Sequence, residues 1–345
     1  MTTTIPSGLG ASFGITTESA VGTFTTSSMR WLRHDKAPFG LKKTVGQSVG
    51  LHQGLYMEGK RRNLIQREGT GTVSLDLQTK QLGLVLKHML GANPSATQIS
   101  TTGVYTQVAI PADLTGLTSS IQLGVPLTSG TIQQFNYSQC KILDWTISVA
   151  RGQLAKLDLT IDAKDETTAT SYAAPSYVAA DVYDFSECAV TFGGTPSTSG
   201  GVTSISAGAA ATGLISSLTI KGTNPLKTDR FNAGSNTKGE QLANNFRTLE
   251  VDFDIEWGAL ADHYTPFTND TSLAFEAKFT GPIVGSSGSN HEFLDLIIPM
   301  LFIDDGASPP IEGPDVVTQH VKAVGLDNGA DNQVQITYQC TDSTV

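Results

Sequence analysis

The feature that most constrains the fold is a run of strict alternation in the second half of the chain. Residues 249–257 place an apolar side chain at every odd position and a carboxylate at every even one: Leu249, Glu250, Val251, Asp252, Phe253, Asp254, Ile255, Glu256 and Trp257. Because successive side chains of a β-strand point to opposite faces, this run predicts a strand with one apolar and one acidic face. Such a strand needs a core on one side and water on the other.

A second alternating run lies in residues 69–78 and is followed by a change of period. Its apolar face is Val73, Leu75 and Leu77, and its polar face is Thr72, Ser74, Asp76 and Gln78. Apolar residues then recur at helical spacing at Leu82, Val85, Leu86, Met89 and Leu90, and Gly91 follows as a helix cap. The sequence therefore predicts a strand followed by a short amphipathic helix.

The order of strand, short helix and further strands occurs twice. Strands are predicted at 104–110, 141–149, 154–161, 249–257, 272–279, 294–303, 316–324 and 333–338, with a second helix at 258–264 whose inward residues are Leu260 and Tyr264. The repeat predicts an internal duplication. We predict an N-terminal arm at 1–29, a first module at 30–165 with a long basic loop at 36–67, a linker at 166–181 and a second module at 182–345.

Composition excludes several classes of protein. Only 16% of residues are charged and 35 are glycine, which suits turns and strands and not helical bundles. A net charge of −10 disfavours a general nucleic-acid binder. The longest apolar run, 296–303, is too short to span a bilayer. We find no zinc, nucleophile-elbow or phosphate-loop motif, and we interpret the three cysteines as reduced, so we expect no enzyme, cofactor or metal.

Charge is distributed unevenly along the chain. Residues 1–90 carry a net +6 and residues 91–345 a net −16. The basic excess lies between positions 30 and 67, at Arg30, Arg33, Lys36, Lys42, Lys43, Lys60, Arg61, Arg62 and Arg67. This segment is either a solvated surface loop or a basic arm that docks on an acidic surface of another copy.

Three blocks, in this order, resemble siphovirus tail tube (major tail) proteins. They are 14–23, which reads GITTESAVGT; 68–77, which reads EGTGTVSLDL and leads into 82–91; and 311–317, which reads IEGPDVV and is followed by VKAV at 321–324. The resemblance implies a mainly β chain of tandem tail-tube-type β-sandwich or barrel modules, each with one short flanking α-helix. In that family, six modules form a ring whose inner strands close into a barrel, and the rings stack into a tube.

The resemblance also implies a function and partners. The chain is expected to be a structural virion protein of the tail, assembled in the host cytoplasm, which encloses the tape measure protein and conducts DNA without sequence-specific or membrane binding. Two modules per chain favour a ring of three chains, and six chains with an outer second module are the alternative. The tail terminator and distal tail proteins are the expected partners at the tube ends.

Two groups of residues are candidates for the working surfaces of such a tube. The lumen candidates are Asp76, Asp158, Asp162, Glu250, Asp252, Asp254, Glu256 and Glu276. Nothing in the sequence neutralises the 250–256 carboxylates locally, so their face is either a solvated outer surface or a negative lumen that keeps DNA phosphates from sticking. The candidates for contacts between rings are Lys42, Lys43, Lys60, Arg61, Arg62 and Arg67, with Lys227, Arg230 and Lys238 in a counterpart segment, 223–245.

Two other functions remain open at this point. A β-sandwich adhesin or receptor-binding virion protein would display aromatic residues in its loops and would not self-assemble. A polysaccharide-active β-enzyme would need a cleft with paired carboxylates about 5–9 Å apart.

Overall fold

A computed structural model describes residues 7–51, 54–92, 95–210, 212–285, 288–306, 308–311 and 313–345. These residues form two short α-helices, α1 (Gly83–Leu90) and α2 (Tyr264–Thr268), and many antiparallel strands. In the first half the strands are β1 (Ser12–Thr17), β2 (Arg30–Leu32), β3 (Phe39–Gln47), β4 (Arg62–Asp76), β5 (Gly91–Ala92), β6 (Thr97–Gln98), β7 (Tyr105–Pro111), β8 (Ser119–Pro126), β9 (Ile132–Ala150), β10 (Lys156–Ala163) and β11 (Asp165–Thr167). In the second half they are β12 (Cys188–Phe192), β13 (Thr195–Ser199), β14 (Val202–Ser206), β15 (Ile215–Thr223), β16 (Leu226–Lys227), β17 (Leu242–Ala243), β18 (Thr248–Glu256), β19 (Leu273–Val284), β20 (Asn290–Asp305), β21 (Thr318–Gly325) and β22 (Gln335–Cys340). The expected mainly β fold is confirmed.

Eight strands from both halves form one continuous sheet, which we call the central sheet. Its order is β3–β4–β10–β9–β15–β18–β21–β20. The halves meet where β9 pairs with β15, from Asp144 opposite Thr223 to Ala150 opposite Ser217. Leu75, Leu157, Ile147, Val251 and Val321 all lie on one face of this sheet and are buried.

A second layer covers the apolar face of the central sheet. In the first half it contains β2, β1, β8, the start of β9 and β11; in the second half it contains β12, β19, the start of β20, β22 and β7. The long strands β9 and β20 pass from one layer to the other, so residues 132–140 of β9 pair with β8 and residues 141–148 pair with β10. The buried apolar residues of both halves form a single core.

The first predicted helix is confirmed, and the position of the second is wrong. Helix α1 is buried along most of its length and ends at Gly91, whose φ of 112° only glycine adopts easily. The second helix begins at Tyr264, where the prediction had it end, and Leu260 is 58% exposed in the preceding turn. Pro266 explains the shift, because proline has no N–H to donate and is therefore tolerated in the first turn of a helix.

Two predicted segments have more structure than expected. Within the N-terminal arm, residues 12–17 form β1, which pairs with both β2 and β8 and buries Phe13 and Ile15 in the core. The basic loop at 36–67 is largely a β-hairpin, because β3 pairs along β4 from Phe39 opposite Gly71 to Gln47 opposite Arg62. Small and polar residues are frequent in both segments, so their sequences did not predict strands.

The pairing of strands repeats between the two halves. In the first half β1 pairs with β8, β3 with β4, β4 with β10, and β9 with β8, β10 and β11. In the second half β12 pairs with β19, β15 with β18, β18 with β21, and β20 with β19, β21 and β22. Each helix follows the corresponding strand, β4 or β18. This correspondence favours the two-module division, which remains a prediction.

Candidate functional site

The face of the central sheet that points away from the core is polar across six strands. Successive strand partners form rows, and one row crosses both halves of the chain: Asp76, Lys156, Ser148, Thr219, Asp252 and Lys322. The neighbouring rows are Ser74, Asp158, Thr146, Lys221 and Glu250 on one side, and Ser217, Asp254 and His320 on the other. A further row, next to that of Ser74, contains Thr72, Thr160, Asp144, Thr223 and Thr248, and Glu256 lies next to the row of Asp254. We call all these residues together the polar face.

The polar face is acidic, but its carboxylates are partly balanced by cations on adjacent strands. It carries seven carboxylates, Asp76, Asp144, Asp158, Glu250, Asp252, Asp254 and Glu256, against the lysines Lys156, Lys221 and Lys322. The segment 250–256 has no cation of its own, and the balancing lysines Lys221 and Lys322 come from strands distant in sequence. Asp144 was missed among the candidates, although it lies in the predicted strand 141–149.

Short polar contacts link carboxylates to Lys156 and His320 of this face. Lys156 Nζ lies 2.5 Å from Asp35 Oδ2 and 2.6 Å from Asp76 Oδ1, and these hydrogen bonds raise the pKa of the lysine. His320 Nδ1 lies 2.7 Å from Asp254 Oδ1. Burial raises the pKa of Asp254, but hydrogen bonds with Ser217 and His320 outweigh it and lower the pKa below its ordinary value. Asp254 is thus ionised at neutral pH.

Two of the lumen candidates lie outside the polar face. Asp162 is 4% exposed, and its carboxylate is 2.6 Å from Lys238 Nζ and accepts a hydrogen bond from Gln241 at 2.7 Å. Lys238 is fully buried and also pairs with Glu68 at 2.9 Å. Glu276 lies on β19 in the second layer, opposite Thr191 and Ile297. The polar face brings together the other six lumen candidates: Asp76, Asp158, Glu250, Asp252, Asp254 and Glu256.

The basic candidates divide into exposed and engaged groups. The exposed group contains Lys42 and Lys43 on β3, Lys60 and Arg61 in the turn Gly59–Arg61, and Arg62 at the start of β4. Within this group Arg61 pairs with the exposed Glu58 at 3.1 Å.

The other basic side chains have partners within the chain. Arg67 pairs with Asp165 at 2.6 Å, Lys227 with the exposed Asp229 at 3.1 Å, and Arg230 donates to the carbonyl of Glu240. Together with the burial of Lys238, these contacts leave the β3–β4 hairpin as the main exposed basic surface of the set.

The central sheet ends at two strand edges. At one edge, residues 35–38 and β3 bond to β4, with Asp35 N–H donating to Ser74 and Thr72 N–H donating to Pro38. At the other edge, residues 302–305 of β20 pair with β21. Within the described ranges, no strand pairs with the outer side of either edge. Open edges of this kind invite pairing with another chain.

A comparison with protein families agrees with this geometry. The model of a family described as phage tail tube protein matches residues 8–339, nearly the whole chain. The chain belongs to the phage tail tube protein family. No curated protein matches it significantly. As a tail tube protein, the chain is a structural component of a virion tail and assembles into a stacked tube.

Three further features of this tail tube protein concern metal ligands, membrane spans and thiols. His, Cys, Asp and Glu side chains form no group of three or more that could hold a metal ion in the part of the chain that is described. None of the helices among the described residues has the length and apolar character to cross a bilayer. Burial raises the pKa of the Cys188 and Cys340 thiols to about 12, so these thiols are poor nucleophiles at neutral pH.

Proposed function

We propose that three copies of this tail tube protein close their central sheets into one barrel, that these rings stack, and that the resulting tube encloses the tape measure protein and conducts DNA. Eight strands from each of three chains would form a barrel of 24 strands. The two modules, at 30–165 and 182–345, would alternate around the ring and give it pseudo-sixfold symmetry. The tail terminator and distal tail proteins would close the two ends of the tube.

The observation that carries this proposal is the junction of β9 with β15 inside the chain. Strand β15 pairs with β18 on one side and β9 on the other. Strand β4 of the first half corresponds to β18 of the second half, because β4 pairs with β10 as β18 pairs with β21. Residues 35–41 therefore occupy beside β4 the place that β15 occupies beside β18. The edge of residues 35–41 that faces away from β4 is therefore equivalent to the edge of β15 that pairs with β9. Since β20 corresponds to β9, residues 302–305 of a neighbouring chain are the matching partner.

The same architecture supports a lumen lined by the polar face. The apolar face of the central sheet is covered by the second layer and the core, so barrel closure leaves only the polar face to line a channel. Asp76, Asp158, Glu250, Asp252, Asp254 and Glu256 would give the wall a negative charge. At physiological salt this charge acts over about 8 Å and would keep DNA phosphates from binding the wall.

Electron microscopy of the purified protein tests ring symmetry directly. We expect tubes whose rings contain three chains, with β3 of one chain beside the end of β20 in the next. Rings of six chains, with residues 182–345 outside the barrel, would contradict the three-chain arrangement. Isolated globules whose polar face contacts bulk solvent would contradict the tube itself.

The exposed basic end of the β3–β4 hairpin is proposed to connect successive rings. Reversing its charge with Lys60→Glu, Arg61→Glu and Arg62→Glu should block tube growth, because it removes the basic surface that is proposed to contact the next ring. The fold should persist, because the three side chains are exposed and have no structural role in the core. Circular dichroism should show a folded chain, and sedimentation should show no tubes. Tubes of normal length and yield from the triple variant would refute this role of the hairpin.

A further inference from the structure

The end of the β3–β4 hairpin exposes an unusual set of apolar side chains, which we call the hairpin tip. Val49 is 72% exposed, Leu51 and Leu55 are essentially fully exposed, Tyr56 is 88% exposed and Met57 is 63% exposed. Isolated apolar residues are common on protein surfaces, but these five lie within nine positions and line one shared surface depression at the end of the hairpin. Such patches mark interaction sites.

An apolar groove lies at the other end of the central sheet, and we call it the basal groove. Its volume is about 360 Å³, and its apolar lining includes Val149, Phe185, Val190, Leu214 and Ile215. Leu214 is 65% exposed at the rim. The groove therefore has room for one or two large apolar side chains.

The hairpin tip and the basal groove of one chain cannot meet. Strand β4 leads from Arg62, next to the tip, to Asp76, and Asp76 pairs with Lys156 in the lower part of the sheet. Ala150 and Ser217, beside the groove, lie one row further from the tip. At about 3.3 Å per residue, β4 alone separates the two surfaces by about 45 Å. The occupant of the groove must come from another chain.

The charges around the two surfaces are complementary. The hairpin carries Lys42, Lys43, Lys60, Arg61 and Arg62 close to its tip.

Carboxylates flank the basal groove on both sides. Asp184 and Glu187 border Phe185 on one side, where Asp184 caps the turn Phe185–Glu187. On the other side, Asp262 Oδ2 accepts a hydrogen bond from the backbone N–H of Thr212, next to Gly213 and Leu214. Arg151 also lies at this end of the sheet. Opposite charges around matching apolar surfaces favour one orientation of docking and raise its rate.

We propose that the hairpin tip of one chain docks into the basal groove of a second copy in the adjacent ring. The proposal rests on the stacked tube and names the receiving surface within it. Tip and groove lie at opposite ends of the same strands, so the contact is heterologous and repeats from ring to ring. A heterologous contact that does not close on itself produces a filament.

Cysteine cross-linking tests this contact. In a Cys188→Ala background, Leu55→Cys and Leu214→Cys place one thiol on the tip and one on the rim of the groove. Oxidised tubes should give a ladder of covalently linked chains in denaturing gels, and either single substitution should give none. Tubes of the double variant that yield no ladder would overturn the groove assignment and leave the tube intact. Wild-type protein without rings or tubes would instead overturn the proposed function.

A second variant tests the groove without engineered thiols. Leu214→Glu adds a carboxylate at an exposed rim position, so we expect the fold and the rings to persist while tube yield falls at least tenfold. Ile283→Glu is the matched control, because Ile283 is 55% exposed on β19 and lies in neither surface. Wild-type tube yield from Leu214→Glu, or an equal loss from Ile283→Glu, would overturn the proposal.

Discussion

Lys238 offers the sharpest test of how the two halves are held together. Its side chain comes from the segment between β15 and β18, and its ammonium group lies between Asp162 on β10 and Glu68 on β4. Lys238→Met keeps the apolar stem and removes the charge. Asp162, whose side chain is 6% exposed, would then be a buried carboxylate that keeps the hydrogen bond from Gln241 but has lost its cation.

The expected loss follows from this burial. Removing one partner of a buried ion pair costs about 3–5 kcal/mol, because the other charge is left uncompensated. Glu68 is one-third exposed and can be rehydrated, so Asp162 accounts for most of the loss. An unfolding entropy of about 2.1 cal/mol/K per residue gives about 0.7 kcal/mol/K for this chain, so a loss of 4 kcal/mol lowers the melting temperature by about 6 °C.

Urea unfolding and thermal melts of the unassembled chain measure this loss. Lys227→Met is the matched control, since Lys227 is half exposed and pairs with the more exposed Asp229; its effect should stay within about 0.5 kcal/mol. Adding Asp162→Asn to Lys238→Met should recover part of the loss because it removes the buried charge. Equal effects of the two lysine variants, or no recovery in the double variant, would refute the reasoning.

Three further predictions concern pH, packing and the channel wall. Burial and a nearby carboxylate raise the pKa of Asp295 to about 7, so the folded chain holds a proton that the unfolded chain loses near pH 4. Stability should therefore fall as pH rises from about 4 to 7, and melts of Asp295→Asn should lack this component. Gly222→Ala would place a methyl group 2.2 Å from the Trp145 ring, and urea unfolding should show a loss of about 1–3 kcal/mol. Tubes of Glu250→Lys with Asp252→Lys, assembled with duplex DNA and pelleted, should retain DNA at low salt and release it at high salt, unlike wild-type tubes.

The strands that the sequence revealed are those with large apolar residues on one face. Val73, Leu75 and Leu77 on β4 and the 249–257 run on β18 alternate so strictly that no other element fits them. Strand β1 has the same alternation at Phe13 and Ile15, but the small residues between them resemble a flexible segment. Strand β15 has Leu218 and Ile220 alternating with Thr219 and Lys221, a signal that was present and not used.

The charge pairing of the site could not be predicted in the same way. Lys238 is 76 residues from Asp162 and 170 from Glu68, and its sequence neighbours are polar, so it resembles a surface lysine. Lys221 and His320 reach the 250–256 carboxylates only because β15 and β21 pair on either side of β18. Periodicity predicts which face of a strand a residue occupies, but strand order decides which charges become neighbours.

Strand order also shows what the predicted internal duplication would contribute to the proposed tube. A sheet with two open edges is a liability in a monomer, because any exposed edge can recruit an unrelated strand. In this chain the edge of β9 is already paired, because β15 of the second half forms hydrogen bonds with it. In the proposed ring of three chains, two modules per chain would make half of the edge contacts intramolecular, and these would form without the translational entropy cost of association. Under this proposal, the pairing between residues 302–305 of one chain and residues 35–41 of the next would reproduce the register seen at β9–β15.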